Sequence, residues 1–299
     1  MLRTTPWNQI GTDITGIKNI NMALQVSNLD FEVVKNPIFD NNGNTISGWF
    51  ANTNISNGDV LGIVKKNYQI VNNNEAFDFV DSLVDEGVEF ERAGQFHYGR
   101  ASWILGKMPR TDILADTFDP YLLFTNSFDG TGSIKVAIIP LRIACSNAIN
   151  MALKRANRTW STRHIGNING KLEEAKYTLG LADNYMTALK EEANRLVAKK
   201  MSNTEFKQIV DRVLPIDTNK DSARKIRNIE DIKSAIYSCL QAPDLANFNG
   251  TAWGYLQATT DALDHLAPVR TTENYAENNW FKIANGHNLV DNFYNAISA

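Results

Sequence analysis

The sequence predicts an α+β fold, with a β-rich N-terminal half built on a β-β-β-α core and a mainly helical C-terminal half. Three observations point there. Short apolar–polar alternations punctuated by Asn, Asp and Gly turns recur up to about residue 144. Leu, Ala and Met at helical spacing take over from residue 171. The two patterns are grouped and not interleaved, which argues against a doubly wound parallel sheet. The change divides the chain into residues 1–170, an α+β core domain, and residues 171–299, a helical domain packed on it. With 43% hydrophobic and 21% charged residues, the chain can bury a substantial core and is not a disordered polyelectrolyte.

The first thirty residues read as an extended lead-in with Trp7 as an anchor, then a short helix over 21–27. FEVVKNPIF and TISGWFANT form a hairpin around the Asp40–Asn44 turn, where Asn and Gly supply positive φ. VLGIVKKNYQIV adds a strand, and an Asn-capped helix follows that stops at Gly87. EFERAGQFHYG, RASWILGKM, DPYLLFTNSF and SIKVAIIPLRIA are strands, the last expected to leave its ladder or lie at an edge at Pro140. Residues 146–156 read as a helix, on Ala148, Ile149, Ala152 and Leu153. Beyond residue 171 the spacing predicts a long helix to Lys200. Further helices are expected over TEFKQIVDRVL, RNIEDIKSAIYSCLQ, GTAWGYLQATTDALDHL and NWFKIANGHNLVDNFYNAIS.

Chemistry concentrates between Pro140 and Lys171. That stretch carries Arg142, Lys154, Arg155, Arg158, Arg163 and Lys171 without one Asp or Glu, although the chain has net charge −3. Trp160 and His164 sit among the cations. Cations beside an aromatic suit single-stranded nucleic acid, whose phosphates need positive charge and whose bases need a stacking face. Arg142, Lys154, Arg155, Arg158, Trp160, Arg163 and His164 are therefore the expected nucleic-acid-binding residues. As a strand, RTWSTRH sends Thr159, Ser161 and Arg163 to one face and Arg158, Trp160 and Thr162 to the other. A candidate phosphate loop, Thr125, Asn126 and Ser127 before a Gly-rich turn, lacks any P-loop spacing, and a plain hairpin turn is the favoured reading.

No catalytic residue, metal site or cofactor is expected. Cys145 and Cys239 are too few for a zinc site or disulfide framework, and the histidines show no ligand spacing. Cys145 with His164 leaves a nucleophile pair open, against a core thiol as the favoured reading. The start lacks an apolar signal segment and no run suits a bilayer, so a cytoplasmic protein without membrane contact is expected.

Trp7, Gly11, YLLFTNS at 121–127, RIACSN at 142–147, WSTRH at 160–164 and GTAWG at 250–254 together carry a family likeness. The chain resembles the phage/plasmid-like proteins grouped as a domain of unknown function, found on bacteriophages and conjugative elements. Asn8 stands where that pattern often has histidine, which counts against a catalytic role there. The β-β-β-α order is in turn similar to the core of Erf-like and Red-beta-like single-strand annealing proteins. That likeness implies a homo-oligomer holding one strand with its bases exposed, in the cytoplasm of a bacterial host. The leading expectation is thus a single-stranded DNA binding and annealing protein of a phage or mobile element, with no catalytic step. The alternative is a phage-encoded interaction protein that binds and inhibits a host defence protein.

Overall fold

The computed structural model describes residues 5, 7–8, 10–114, 116–175, 177–266, 275–286 and 288–299, apart from the side chain of residue 169. Of the expected lead-in, residues 1–4, 6 and 9 lie outside that description, as do Lys176 and His287 of the expected helices.

Strand β1 (Thr12–Asp13) leads to helix α1 (Ile20–Val26), whose N-cap Asn19 accepts from the Met22 N–H. Strands β2 (Val33–Phe39), β3 (Thr45–Asn54) and β4 (Val60–Lys65) form a small antiparallel sheet in that order. The next helical stretch is two short helices, α2 (Asn73–Phe77) and α3 (Val80–Asp85), ended by Gly87 at φ 98°. Strands β5 (Glu89–Phe96), β6 (Ala101–Lys107), β7 (Thr111–Ile113), β8 (Asp116–Ser127), β9 (Ile134–Arg142), β10 (Asn147–Ala148) and β11 (Thr159–Thr162) complete the β-rich half. The large sheet runs β1-β5-β6-β8-β9. Strand β7 also pairs with β8, and β10 and β11 take opposite ends of the far side of β9.

The rest is helical: α4 (Ile168–Ala175), α5 (Thr178–Ala198), α6 (Asn203–Val213), α7 (Ala223–Cys239), a 3-10 turn Pro243–Phe248, α8 (Ala252–Asp261) ending in the π turn Ala262–Leu266, α9 (Tyr275–Asn285) and α10 (Asn288–Ser298). Ser202 and Glu205 close a capping box on α6. The expected boundary near residue 170 falls inside α4. One hydrophobic cluster crosses it, joining Ile104, Phe124 and Val136 of the sheet to Leu189, Leu256 and Phe293 of the helices.

Both faces of the large sheet are covered, as the near-continuous apolar runs of β8 and β9 require. One face packs on the helical half. The opposite face, with Trp103, Leu123, Ala137 and Ile139, packs under α9 through Trp280 and Ile283. Trp7 is the expected anchor: fully buried, it donates to Glu91 Oε1 at 2.6 Å and rests on Tyr121 and Trp280. The small sheet is bolted to the β8–β9 turn. Asn52 Nδ2 donates to the Phe128 carbonyl at 2.7 Å. Gly62 lies so near that a Cβ there would meet Asp129 Cα at 2.4 Å.

One expectation is corrected. Residues 146–156 are not a helix: β10 is followed by irregular chain. Tertiary partners take the groups a helix would use. The Ile149 N–H donates to the Pro140 carbonyl, Ala148 N–H to Asp264, and Ala152 N–H to Asp291. Asn150 Nδ2 reaches the Ile283 carbonyl, and Ser146 sits at φ 55°. The β-β-β-α unit is thus closed by no helix at that position. Pro140 stays within β9 opposite Pro120 of β8, and its other side lies at a local edge of the ladder, one of the two alternatives expected there. Their carbonyls point outward, accepting from Ile149 and Met108, so the missing N–H of Pro140 faces the gap between β10 and β11 and that of Pro120 the gap between β7 and β6.

Candidate functional site

The basic stretch does not assemble into one surface. Strand β9 separates its members. At the end of β9, Arg142 is 1% exposed. Its Nε and Nη2 grip the Asp116 carboxylate at 2.9 and 3.0 Å, Nη1 donates to Asp244 Oδ2 at 2.6 Å, and Nη2 to the Asp244 carbonyl at 3.0 Å. With Nη1 also 3.4 Å from Cys145 Sγ, all five guanidinium donors are engaged. Burial opposes its charge most, but hydrogen bonding to Asp116 together with the neighbouring Cys145, Asp116 and Asp244 outweighs that and raises its pKa. Arg142 is therefore a structural cation; the expectation that it contacts phosphate is corrected, because a carboxylate from the helical half neutralises it.

Lys154 and Arg155 are exposed on the irregular segment, Arg155 at 4.0 Å from Glu191 of α5. Arg158 tucks under Gly286 and donates to the Ile138 carbonyl at 3.0 Å and Asn150 Oδ1 at 3.3 Å. Burial lowers its pKa, with Tyr185 and Asp291 pulling the other way. Strand β11 alternates as expected. Trp160, opposite Val136, packs half-buried against the helical core, while Ser161 and the exposed Arg163 face the other way. Trp160 is not a free stacking platform.

Arg163 opens onto a groove of about 990 Å³. Its floor is the sheet face of Thr125, Lys135 and Ser161, which pair across β8, β9 and β11. One wall is the small sheet with Trp49, Ile63 and Lys65, and the other is α9 with Phe281. Trp49 and Phe281 are 41% and 36% exposed, so both rings offer faces to an occupant. Lys65 Nζ sits 5.6 Å over the Trp49 ring.

Lys65, Arg100, Lys135 and Arg163 line this groove against the one described lining carboxylate, Asp129. Asp129 is held by its own turn, accepting from Thr131 N at 2.8 Å, Gly132 N at 3.1 Å and Ser127 Oγ at 2.7 Å. Burial pushes its pKa up, and those hydrogen bonds outweigh it and bring it below the ordinary value. Lys135 donates to Asn285 Oδ1 at 2.5 Å. Burial first, then nearby Arg158, bring its pKa down to about 8.

The candidate phosphate loop is corrected. Asn126 is buried and turned away, donating to the Val71 carbonyl and Asn73. The turn's N–H groups are taken by Asp129, so no cradle for a phosphate remains at Ser127; Thr125 stays on the groove floor. Nor do Cys145 and His164 meet. Thr162 pairs with Ile134 at one end of β9 and Cys145 touches Arg142 at the other, roughly 25 Å away at ~3.3 Å per residue. The Cys145 thiol is buried, which raises its pKa.

Sequence reasoning missed Trp49, Lys65, Arg100, Lys135 and Phe281. One signal was present: Lys135 is the single charge among the apolar residues 134–141, on the face its neighbours use for packing. No helix among the described residues is long and apolar enough to cross a membrane. No curated protein and no solved structure matches the chain. A family model does match residues 60–281, which include the groove floor and most of its walls, and the chain belongs to that family, the domain of unknown function DUF932.

Proposed function

We propose that the groove binds single-stranded nucleic acid, and that the protein is a single-stranded DNA binding and annealing protein of a phage or mobile element, without a catalytic step. One observation carries the reading: four cations and two accessible aromatic rings share a groove whose single described carboxylate is already satisfied by its own loop. Lys65, Arg100, Lys135 and Arg163 bind phosphates, and Trp49 and Phe281 stack on bases. An electrostatic surface with aromatic faces holds a strand without reading its sequence. Assembly into a homo-oligomer in the bacterial cytoplasm goes with this reading.

Fluorescence anisotropy with a labelled 20-mer oligonucleotide tests it. Four neutralised phosphates predict a log–log salt slope of about −3, at roughly −0.7 per phosphate. Lys135→Ala/Arg163→Ala should lose at least tenfold in affinity and bring the slope to about −1.5. No binding at low salt, or an unchanged slope in the variant, removes the proposal.

A second reading, an interaction protein that inhibits a host defence protein, draws on the small sheet. Phe39, Ile46, Ile55 and Val60 are exposed there beyond the groove, an apolar surface of the kind partners cover. Capture of one host protein by the wild type, lost on Ile46→Lys and Val60→Lys with oligonucleotide binding unchanged, separates it from the first.

A further inference from the structure

The groove continues past Arg163. Ser161, Arg163 and Ile165 line both the groove and a second cleft of about 370 Å³ between β11 and α4. Strand β11 is the lip between the two. Among the described residues it pairs with β9 alone, so its other side is an edge of the sheet. The register fixes what that edge presents. The Ile138 N–H donates to the Arg158 carbonyl at 2.9 Å, which makes these two a hydrogen-bonded pair. Such pairs alternate along an antiparallel ladder, so Trp160 and Thr162 bond to Val136 and Ile134. Ser161, between them and exposed, turns its N–H and C=O away from β9 to the open edge.

Charge gathers at the same lip. Lys171 of α4 lines the cleft, and its ammonium has no ion-pair partner among the described residues. Arg163 and Lys171 outnumber the one described lining carboxylate, Glu174. A backbone N–H with a guanidinium and an ammonium nearby is a donor set that phosphate oxygens accept from. The edge suits a second strand less well. Strand β11 has four residues, and the Arg163 carbonyl beyond it already accepts from the Ile165 N–H at 2.8 Å.

We infer that the bound strand leaves the groove over the β11 edge, and that the Ser161 N–H and Lys171 hold a further phosphate in the cleft beyond, next to the one on Arg163. This rests on the nucleic-acid reading above and adds to it the course of the strand and a fifth phosphate. The fifth contact takes the expected salt slope from about −3 to about −3.5.

The test is anisotropy of a labelled 20-mer on the full-length protein. Lys171→Ala should bind about fivefold more weakly at 0.1 M salt, with a slope shallower by about 0.7. Lys207→Ala, an exposed lysine of α6 that lines neither cavity, is the control for net charge. Ser161→Pro removes the outward N–H without removing a bond to β9, so the edge tolerates it. It should bind about tenfold more weakly than Ser161→Ala, which keeps that N–H. Circular dichroism melting shows that each variant folds. An unchanged slope in Lys171→Ala overturns the exit path, and so does an equal loss in Lys207→Ala. Equal binding by folded Ser161→Pro and Ser161→Ala overturns it as well. If the proline variant does not fold, the Lys171→Ala slope decides. Failure of wild type to bind the 20-mer even at low salt instead removes the nucleic-acid reading, and the exit path falls with it.

Discussion

The two ends of strand β9 each carry a cation that sequence alone treats alike, and the fold uses them in opposite ways. At one end Arg142 is enclosed by Asp116 and by Asp244, a residue 102 positions on, and nothing of its charge is left for a partner. At the other end Lys135 and Arg163 line an open groove, and Lys135 donates to a neutral amide, Asn285. A run of basic residues without acidic ones is thus not a basic surface. Counter-charges arrive from distant sequence, and only burial and partners sort structural cations from binding ones.

The largest contrast concerns stability. Arg142→Ala leaves two carboxylates facing a buried hole and should destabilise the fold by about 3–5 kcal/mol. Arg163→Ala removes an exposed charge and should change stability by less than ~0.5 kcal/mol. Urea unfolding of both variants measures this. Equal effects would dissolve the distinction between the two ends.

Most of the fold was legible because local pattern and global packing agree. Alternation in 119–128 and 133–144, the hairpin around Asp40–Asn44 and the later helices all formed as strands or helices where the pattern lay. The failure at 146–156 has a tertiary cause. Residues 146–156 have a helical apolar spacing, but their N–H groups find Pro140, Asp264 and Asp291. Pro140 is tolerated inside a strand because its neighbours there are too short to need its N–H. Both depend on contacts over more than a hundred residues, or on ladder gaps, that no local window contains. The site was half legible for the same reason. Arg163 and His164 lie in the groove, while Trp49, Lys65 and Lys135 come from strands whose pattern announced only packing.

The next contrast is in pH. At the groove end, His164 has a pKa lowered from 6.5 to about 4 by burial, so the folded state resists its protonation. Its contribution is complete above pH 6.5 and is lost as pH falls toward 4, at most about 3 kcal/mol. At the Arg142 end, Asp264 accepts from the Ala148 N–H and burial raises its pKa to about 7. Its contribution is complete below about pH 4 and is lost as pH rises through 7, again by a few kcal/mol. The two oppose each other across the same window, so wild type alone shows little slope. Asp264→Asn should be more stable than wild type at pH 8 and equal to it at pH 4, whereas His164→Phe should lose part of the acid sensitivity. Chemical denaturation at pH 4.5, 6 and 8 gives the signs, and matching slopes in both variants would contradict the assignment.

The smallest effect tests the groove cation most directly. Lys135 is charged below about pH 8 and neutral above it, against 10.5 for a free lysine, because burial and Arg158 disfavour the ammonium. The folded state therefore carries an unfavourable charge at pH 7 that is relieved between pH 8 and 10.5. Lys135→Met, similar in length and uncharged, should leave stability equal or raised by up to ~1 kcal/mol at pH 7, with no gain at pH 10.5. A residue retained for its packing would show the reverse. The same charge should be felt by the ligand. Oligonucleotide affinity should fall as pH rises through 8 in wild type, the salt slope shrinking by about 0.7, the share of one phosphate. In Lys135→Met affinity should already be at the lower level and flat over that range. A wild-type affinity that does not change between pH 7 and 9 would show that Lys135 does not touch the strand, and would move the phosphate path to Lys65, Arg100 and Arg163.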